Sequence, residues 1–163
     1  MTNVLLARAR EVIAWFPRAP KPRNLTLFIA GHGTERSENS RKPIERQMEL
    51  LWTMNLYAGV HAIFLQESPR IGDCYRRAQT KNMVIVPFFI SDGLHTRKVI
   101  PVLLGEPERI VQQRLQAGQS TWRNPTEKNG KLVWYSAAIR SEPHLADVIL
   151  ARVREASLKT LRG

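Results

Sequence analysis

The chain's patterning predicts an α/β domain built on a doubly wound, four-stranded parallel sheet, and two features carry the prediction. Apolar stretches of strand length alternate four times with amphipathic helical segments along 163 residues. The first stretch, Leu25 to Ala30, is apolar at every position except Thr26. A strand that lacks polar alternation is one buried on both faces, as parallel sheets require.

The elements follow in order. Residues 1–24 are expected to form an N-terminal helix and a proline-rich connector, and 25–163 a single α/β domain. Leu5, Ala9, Val12, Ile13 and Phe16 recur at helical spacing, with Arg8, Arg10 and Glu11 off that stripe. The interrupting arginines make a poor secretory signal, so a packing helix is the reading. Pro17, Pro20 and Pro22 stop it. The first strand runs into Gly31-His32-Gly33-Thr34. A helix is expected from Arg41 to Tyr57, with Ile44, Met48, Leu51 and Met54 or Asn55 facing inward. The second strand, Val60 to Leu65, ends at Gln66-Glu67-Ser68-Pro69. Ile71 to Ala78 reads as a helix, and Met83 to Ile90 as a third strand running out to Ser91-Asp92-Gly93-Leu94-His95. Pro107 to Ala117 reads as a helix, Leu132 to Ala138 as the fourth strand, and Glu142 to Leu158 as a closing helix. Gly118 to Gly130, polar and rich in turn residues, is expected to be a loop.

Composition narrows the function classes. With 43% hydrophobic and 24% charged residues the chain is neither disordered nor fibrous. No apolar run approaches the roughly 18 to 20 residues of a membrane span. Cys74 is the lone cysteine, which excludes a disulfide or a four-thiolate zinc site within one chain and makes a reducing, cytoplasmic setting the default. The net charge of +11 suits a polyanionic partner: nucleic acid, an anionic surface, or a small polycarboxylate. An aromatic content of 7% and the absence of an RNA-binding strand motif, zinc knuckle or long basic arm count against nucleic acid.

In open parallel sheets ligands bind at the carboxyl ends of strands, near the switch in strand order. Three polar residues fall at such ends: His32 after the first strand, Glu67 after the second and His95 after the third. Two imidazoles with a carboxylate suit Co, Ni, Fe or Zn in the divalent state. Each residue alone has a plainer role, as a hydrogen-bonded loop histidine or a solvated turn carboxylate. His61 and His144 have weaker claims, and Cys74 is expected to be a small buried side chain. A histidine after a first strand is also the phosphoryl acceptor of phosphoglycerate-mutase-like phosphatases. Those carry an arginine immediately before it, where this chain has Gly31.

Three segments together resemble one family. They are Leu27-Phe-Ile-Ala-Gly-His-Gly-Thr34, then Phe64-Leu-Gln-Glu-Ser-Pro69, then Val86-Pro-Phe-Phe-Ile-Ser-Asp-Gly-Leu-His-Thr96 with Ile100-Pro101. From about Leu25 to Leu158 the chain resembles the sirohydrochlorin cobaltochelatases, the class II chelatases that work without ATP. The resemblance implies a flavodoxin-like sheet, a cleft for an anionic tetrapyrrole, and metal-binding histidines at His32 and His95. Glu67 matches an acidic position after the second strand. The divalent metal is then a substrate, Co2+ first with Ni2+ or Fe2+ as alternatives, and one histidine or Glu67 accepts the pyrrole protons. Of the basic residues between Pro69 and Lys98, Arg70, Arg97 and Lys98 are candidate anchors for the substrate's carboxylates, with Gly93 permitting close backbone approach. Short members of the family form homodimers, and no membrane partner is implied. Where the family usually carries an acidic residue before Ile-Pro, this chain has Val99. Two other readings stand beside this one: a non-catalytic tetrapyrrole or metal-binding protein of the same fold, and a basic nucleic-acid-binding domain.

Overall fold

The computed structural model describes residues 1–14 and 16–139; the expected closing helix and His144 lie outside the described residues. Five strands form one sheet: β1 (Leu25–Gly31), β2 (Gly59–Phe64), β3 (Asn82–Pro87), β4 (Thr126–Lys128) and β5 (Lys131–Tyr135), in the order β2-β1-β3-β5-β4. The first four in that order are parallel, as expected, and β4 adds a short antiparallel edge. Helices α1 (Thr2–Ala14), α2 (Lys42–Thr53), α3 (Cys74–Arg77), α4 (Ile100–Leu103) and α5 (Glu108–Gln116) complete the described elements of this kind.

Strand β1 is buried along its whole length because it lies between two parallel neighbours and beneath side chains on both faces. Leu27 and Ile29 join one core with Leu5, Ala9 and Ile13 of α1 and Ile44 and Leu51 of α2. Phe28 and Ala30, pointing the other way, join Ile71, Cys74, Ile100 and Leu104. Removing one such side chain, as in Leu27→Ala, would cost about 3 kcal/mol. Gly31 closes the strand where α2 crosses it: a Cβ there would stand 1.9 Å from Cδ1 of Ile44.

Four local expectations need correction. Arg8, off the predicted apolar stripe, is buried, and its guanidinium reaches Glu11 at 2.9 Å. Helix α2 ends at Thr53, with Asn55 at φ 52, so Met54 is exposed instead of facing inward. Strand β3 ends at Pro87, not Ile90, and His95 opens a wide π turn (His95–Val99) that runs straight into α4. The polar Thr96-Arg97-Lys98 and Pro101 hide this helix from any apolar periodicity; Pro101 fits because it stands in the first turn of α4. Finally, the expected loop Gly118–Gly130 contains β4 and a tight hairpin through Asn129 (φ 49) and Gly130 (φ 74). The segment before β4 is held to β5: Trp122 Nε1 donates to the Val133 carbonyl at 3.1 Å, and Asn124 exchanges two hydrogen bonds with Tyr135.

Candidate metal-binding site

The strand order makes the site. From β1 the chain winds outward to β2 on one side, then crosses back to place β3 on the other side of β1. The crevice between the carboxyl ends of β1 and β3 is therefore the topological switch point. Just these two strands lead to His32 and His95.

The two imidazoles meet there. Their ring centroids are 5.2 Å apart and the planes stand at 89°. Two imidazoles ligating one ion tetrahedrally, with nitrogens about 2.0–2.1 Å from it, have centroids on the order of 5 Å apart. The spacing thus matches a shared metal. His32 is half-buried and its Nδ1 lies 3.0 Å from the Gly33 carbonyl oxygen. A carbonyl only accepts, so Nδ1 carries the proton and Nε2 keeps its lone pair free for a metal. His95 is exposed, its ring leans on Phe89 at 5.9 Å, and no hydrogen bond among the described residues claims either of its nitrogens.

Glu67 comes next to His32 through the backbone. The N–H groups of Leu65 and Gln66 both donate to the His32 carbonyl at 3.1 Å, which draws the end of β2 across to β1. A Cβ on Gly33 (φ +61) would stand 2.7 Å from Oε1 of Glu67. The glycine is thus required twice, by its conformation and by the carboxylate packed against it. Oε2 of Glu67 takes a charge-assisted bond from Arg41 Nη1 at 3.3 Å, while Oε1 is buried with no hydrogen-bond partner. Among the described residues no three of His, Cys, Asp and Glu form a metal-holding group. Glu67 stands beside the histidine pair, not as its third ligand.

The proposed carboxylate anchors are placed unequally. Arg70 is exposed, its Nη1 only 3.4 Å from the Leu65 carbonyl. Arg97 is exposed and has no ion-pair partner among the described residues. Lys98 is turned to α5, 3.4 Å from Glu108. A cleft of about 620 Å³ lies between α1 and the segment before β4, lined by Arg8, Asp92, Thr96, Arg97, Trp122 and Tyr135. It borders the His95 segment and is lined by neither histidine. Gly93 differs from Gly33: nothing lies within 4 Å of where its Cβ would be, so this fold does not itself demand a glycine.

Residues 26–156 match the CbiX family model. The chain belongs to the CbiX family. It is 34% identical over 156 residues to a "probable sirohydrochlorin cobaltochelatase" of Halobacterium salinarum, a match that covers 96% of this chain and 50% of that protein. The chain thus spans half the length of this relative. A second relative, the sirohydrochlorin cobaltochelatase of Methanopyrus kandleri, is 25% identical over 140 residues, covering 81% of this chain and 96% of that one. The structure of SirB from Bacillus subtilis with Fe3+ superimposes with a TM-score of 0.55 at 19% identity, covering 94% of this chain and 52% of that chain. That likeness gives the chelatase-like fold.

Within this CbiX-family domain, the residues that sequence reasoning missed are those that hold the site in place. Arg41 bonds Glu45 at 2.5 Å, Glu67 and the Ser68 carbonyl, and lies over the Phe64 ring at 5.1 Å. The Glu45 carboxylate first, and Glu67 after it, hold the Arg41 guanidinium above its ordinary range. Asp92 Oδ1 accepts from the Ala138 N–H at 3.0 Å, and Thr96 Oγ1 accepts from the Gly93 N–H at 3.0 Å. These bonds pin both ends of the turn that delivers His95. The Ser91-Asp92-Gly93 string is the one sequence signal that marked this turn. His61 is occupied elsewhere, with Nε2 3.0 Å from Gln79 Oε1.

Proposed function

We propose that this chain is an ATP-independent chelatase that inserts a divalent metal, cobalt first, with nickel or iron as alternatives, into sirohydrochlorin. The observation that carries the reading is the imidazole pair at the switch point, spaced for one shared ion and with Nε2 of His32 left free by the Gly33 bond. Support also comes from the family match and from two relatives named sirohydrochlorin cobaltochelatase.

In this reading His32 Nε2 and one nitrogen of His95 hold the metal above the macrocycle and leave its remaining positions open to the pyrrole nitrogens. Entry of the metal displaces two pyrrole protons. Glu67, whose Oε1 has no partner, accepts one of them beside His32, and a histidine nitrogen released as the metal moves to the ring takes the other. Arg97 and Arg70, both exposed, draw the substrate's carboxylates to the rim, and the surplus of positive charge speeds their encounter. The presence of Val99 at a position that is usually acidic leaves the proton work to Glu67 and the histidines. We further propose that two copies assemble as a homodimer in the cytoplasm.

The test is anaerobic absorbance of the purified protein with sirohydrochlorin and, separately, Co2+, Ni2+ and Fe2+. Metal-dependent conversion over many turnovers, lost in the His32→Ala, His95→Ala double variant, is the expected result. A bound but unconverted spectrum would assign the chain as a carrier, and no spectral change would return attention to nucleic acid and the basic surface.

A further inference from the structure

We infer that Ile90 and Leu94 form an apolar seat for the face of the tetrapyrrole beside the histidine pair; the inference rests on the chelatase reading and adds substrate-contact residues to it. Both side chains are large, aliphatic and outward: Ile90 is 72% exposed and Leu94 67%. They lie in the segment between β3 and the π turn, one following Phe89, whose ring packs on His95, and the other preceding His95 itself. Both residues thus adjoin, along the chain, the two rings that meet at the proposed site, Phe89 and His95.

The exposure is imposed by the backbone. Phe88 N–H bonds the Ala30 carbonyl at 2.7 Å, Asp92 bonds Ala138, Gly93 N–H bonds Thr96 Oγ1, and Arg97 N–H returns to the Gly93 carbonyl at 2.9 Å. A segment tied at both ends holds Ile90 and Leu94 out in solvent, where such side chains gain nothing until a partner covers them.

The geometry of metal insertion selects that partner. A metal passing from imidazole nitrogens to the ring centre requires the macrocycle to lie face-on over His32 and His95. Its carboxylates are on the rim, so what spreads over the immediate surroundings of the histidines is apolar ring face. Side chains there meet hydrocarbon and conjugated carbon, and aliphatic groups suit that contact. Exposed arginines such as Arg97 and Arg70 suit the carboxylates instead.

The test uses the full chain and free sirohydrochlorin without metal, titrated by absorbance. The Ile90→Ser, Leu94→Ser double variant should bind at least tenfold more weakly than wild type. Its Co2+ affinity by calorimetry and its melting temperature should be unchanged. Ile90→Leu with Leu94→Met, apolar but differently shaped, should restore most of the binding. Equal sirohydrochlorin affinity in wild type and the serine variant would overturn the inference. So would a serine variant that binds sirohydrochlorin normally but elutes as a smaller species, since the patch would then be a contact between copies. Wild type that binds no sirohydrochlorin would instead sink the chelatase reading itself, and this inference with it.

Discussion

Oε1 of Glu67 fills the space that a side chain on Gly33 would need: a Cβ there would stand 2.7 Å from the carboxylate oxygen and 2.8 Å from the Cβ of Phe64. The second contact is the decisive one, because Phe64 Cβ belongs to a fully buried residue at the end of β2 and has nowhere to move. Together with φ +61, this makes Gly33 the hinge that holds His32 and Glu67 side by side. Gly33→Ala should destabilise the protein by about 2 kcal/mol in urea unfolding, and lower metal affinity as His32 shifts. Unchanged stability would mean that the strand ends are not packed this tightly.

Gly93 gives the opposite expectation. Its φ is not in the left-handed region and its Cβ site is open. Gly93→Ala should leave stability unchanged or raise it by about 0.5 kcal/mol. If the macrocycle approaches this backbone, the same change raises KM for sirohydrochlorin while metal affinity stays constant. An unaltered KM would remove Gly93 from the substrate surface.

A buried charge cluster that includes neither histidine offers a control. Glu106 accepts from Arg114 at 2.8 Å and from Lys128 at 3.0 Å, and is itself nearly inaccessible. Through these pairs it ties α5 to the β4 hairpin. Glu106→Ala strands two cations in a partly buried place and should cost about 3 kcal/mol. Metal binding per folded molecule should not change; a loss of Co2+ affinity would contradict the independence of the two regions.

Cys74 is fully buried, and burial pushes its thiol up to about 12. Because the thiolate is the reactive form, raising the pKa suppresses it at pH 8, where a free cysteine is substantially ionised. Alkylation of the native protein at pH 8 should be slower by a factor of about 10³ or more than in denaturant, and should track unfolding. Rapid native alkylation would show that the face of the sheet carrying Phe28 and Ile85 is open.

The legible parts of this fold were those written in continuous apolar runs. Leu25 to Ala30, with one polar residue, announced a strand buried on both faces, and the structure places it between β2 and β3. His32 and His95 were legible as a pair because each follows an apolar run, with Gly31 and Gly33 flanking the first and Gly93 two residues before the second. What stayed hidden has local causes. The π turn and α4 carry polar residues and a proline where periodicity would have to show. The β4 hairpin is too short for alternation, although Asn129-Gly130 was a readable turn signal. Arg41 could not be identified as the partner of Glu67, because nothing local links the residue before α2 to the turn after β2.

In the proposed site the imidazoles of His32 and His95 bind one and the same metal ion. X-ray absorption of the Co2+-loaded protein, which counts imidazole ligands directly, tests it most closely when compared across wild type, His32→Ala and His95→Ala. Two imidazoles per cobalt are expected in wild type and one in each single variant, with weakened affinity. The same imidazole count in wild type and either variant would contradict it.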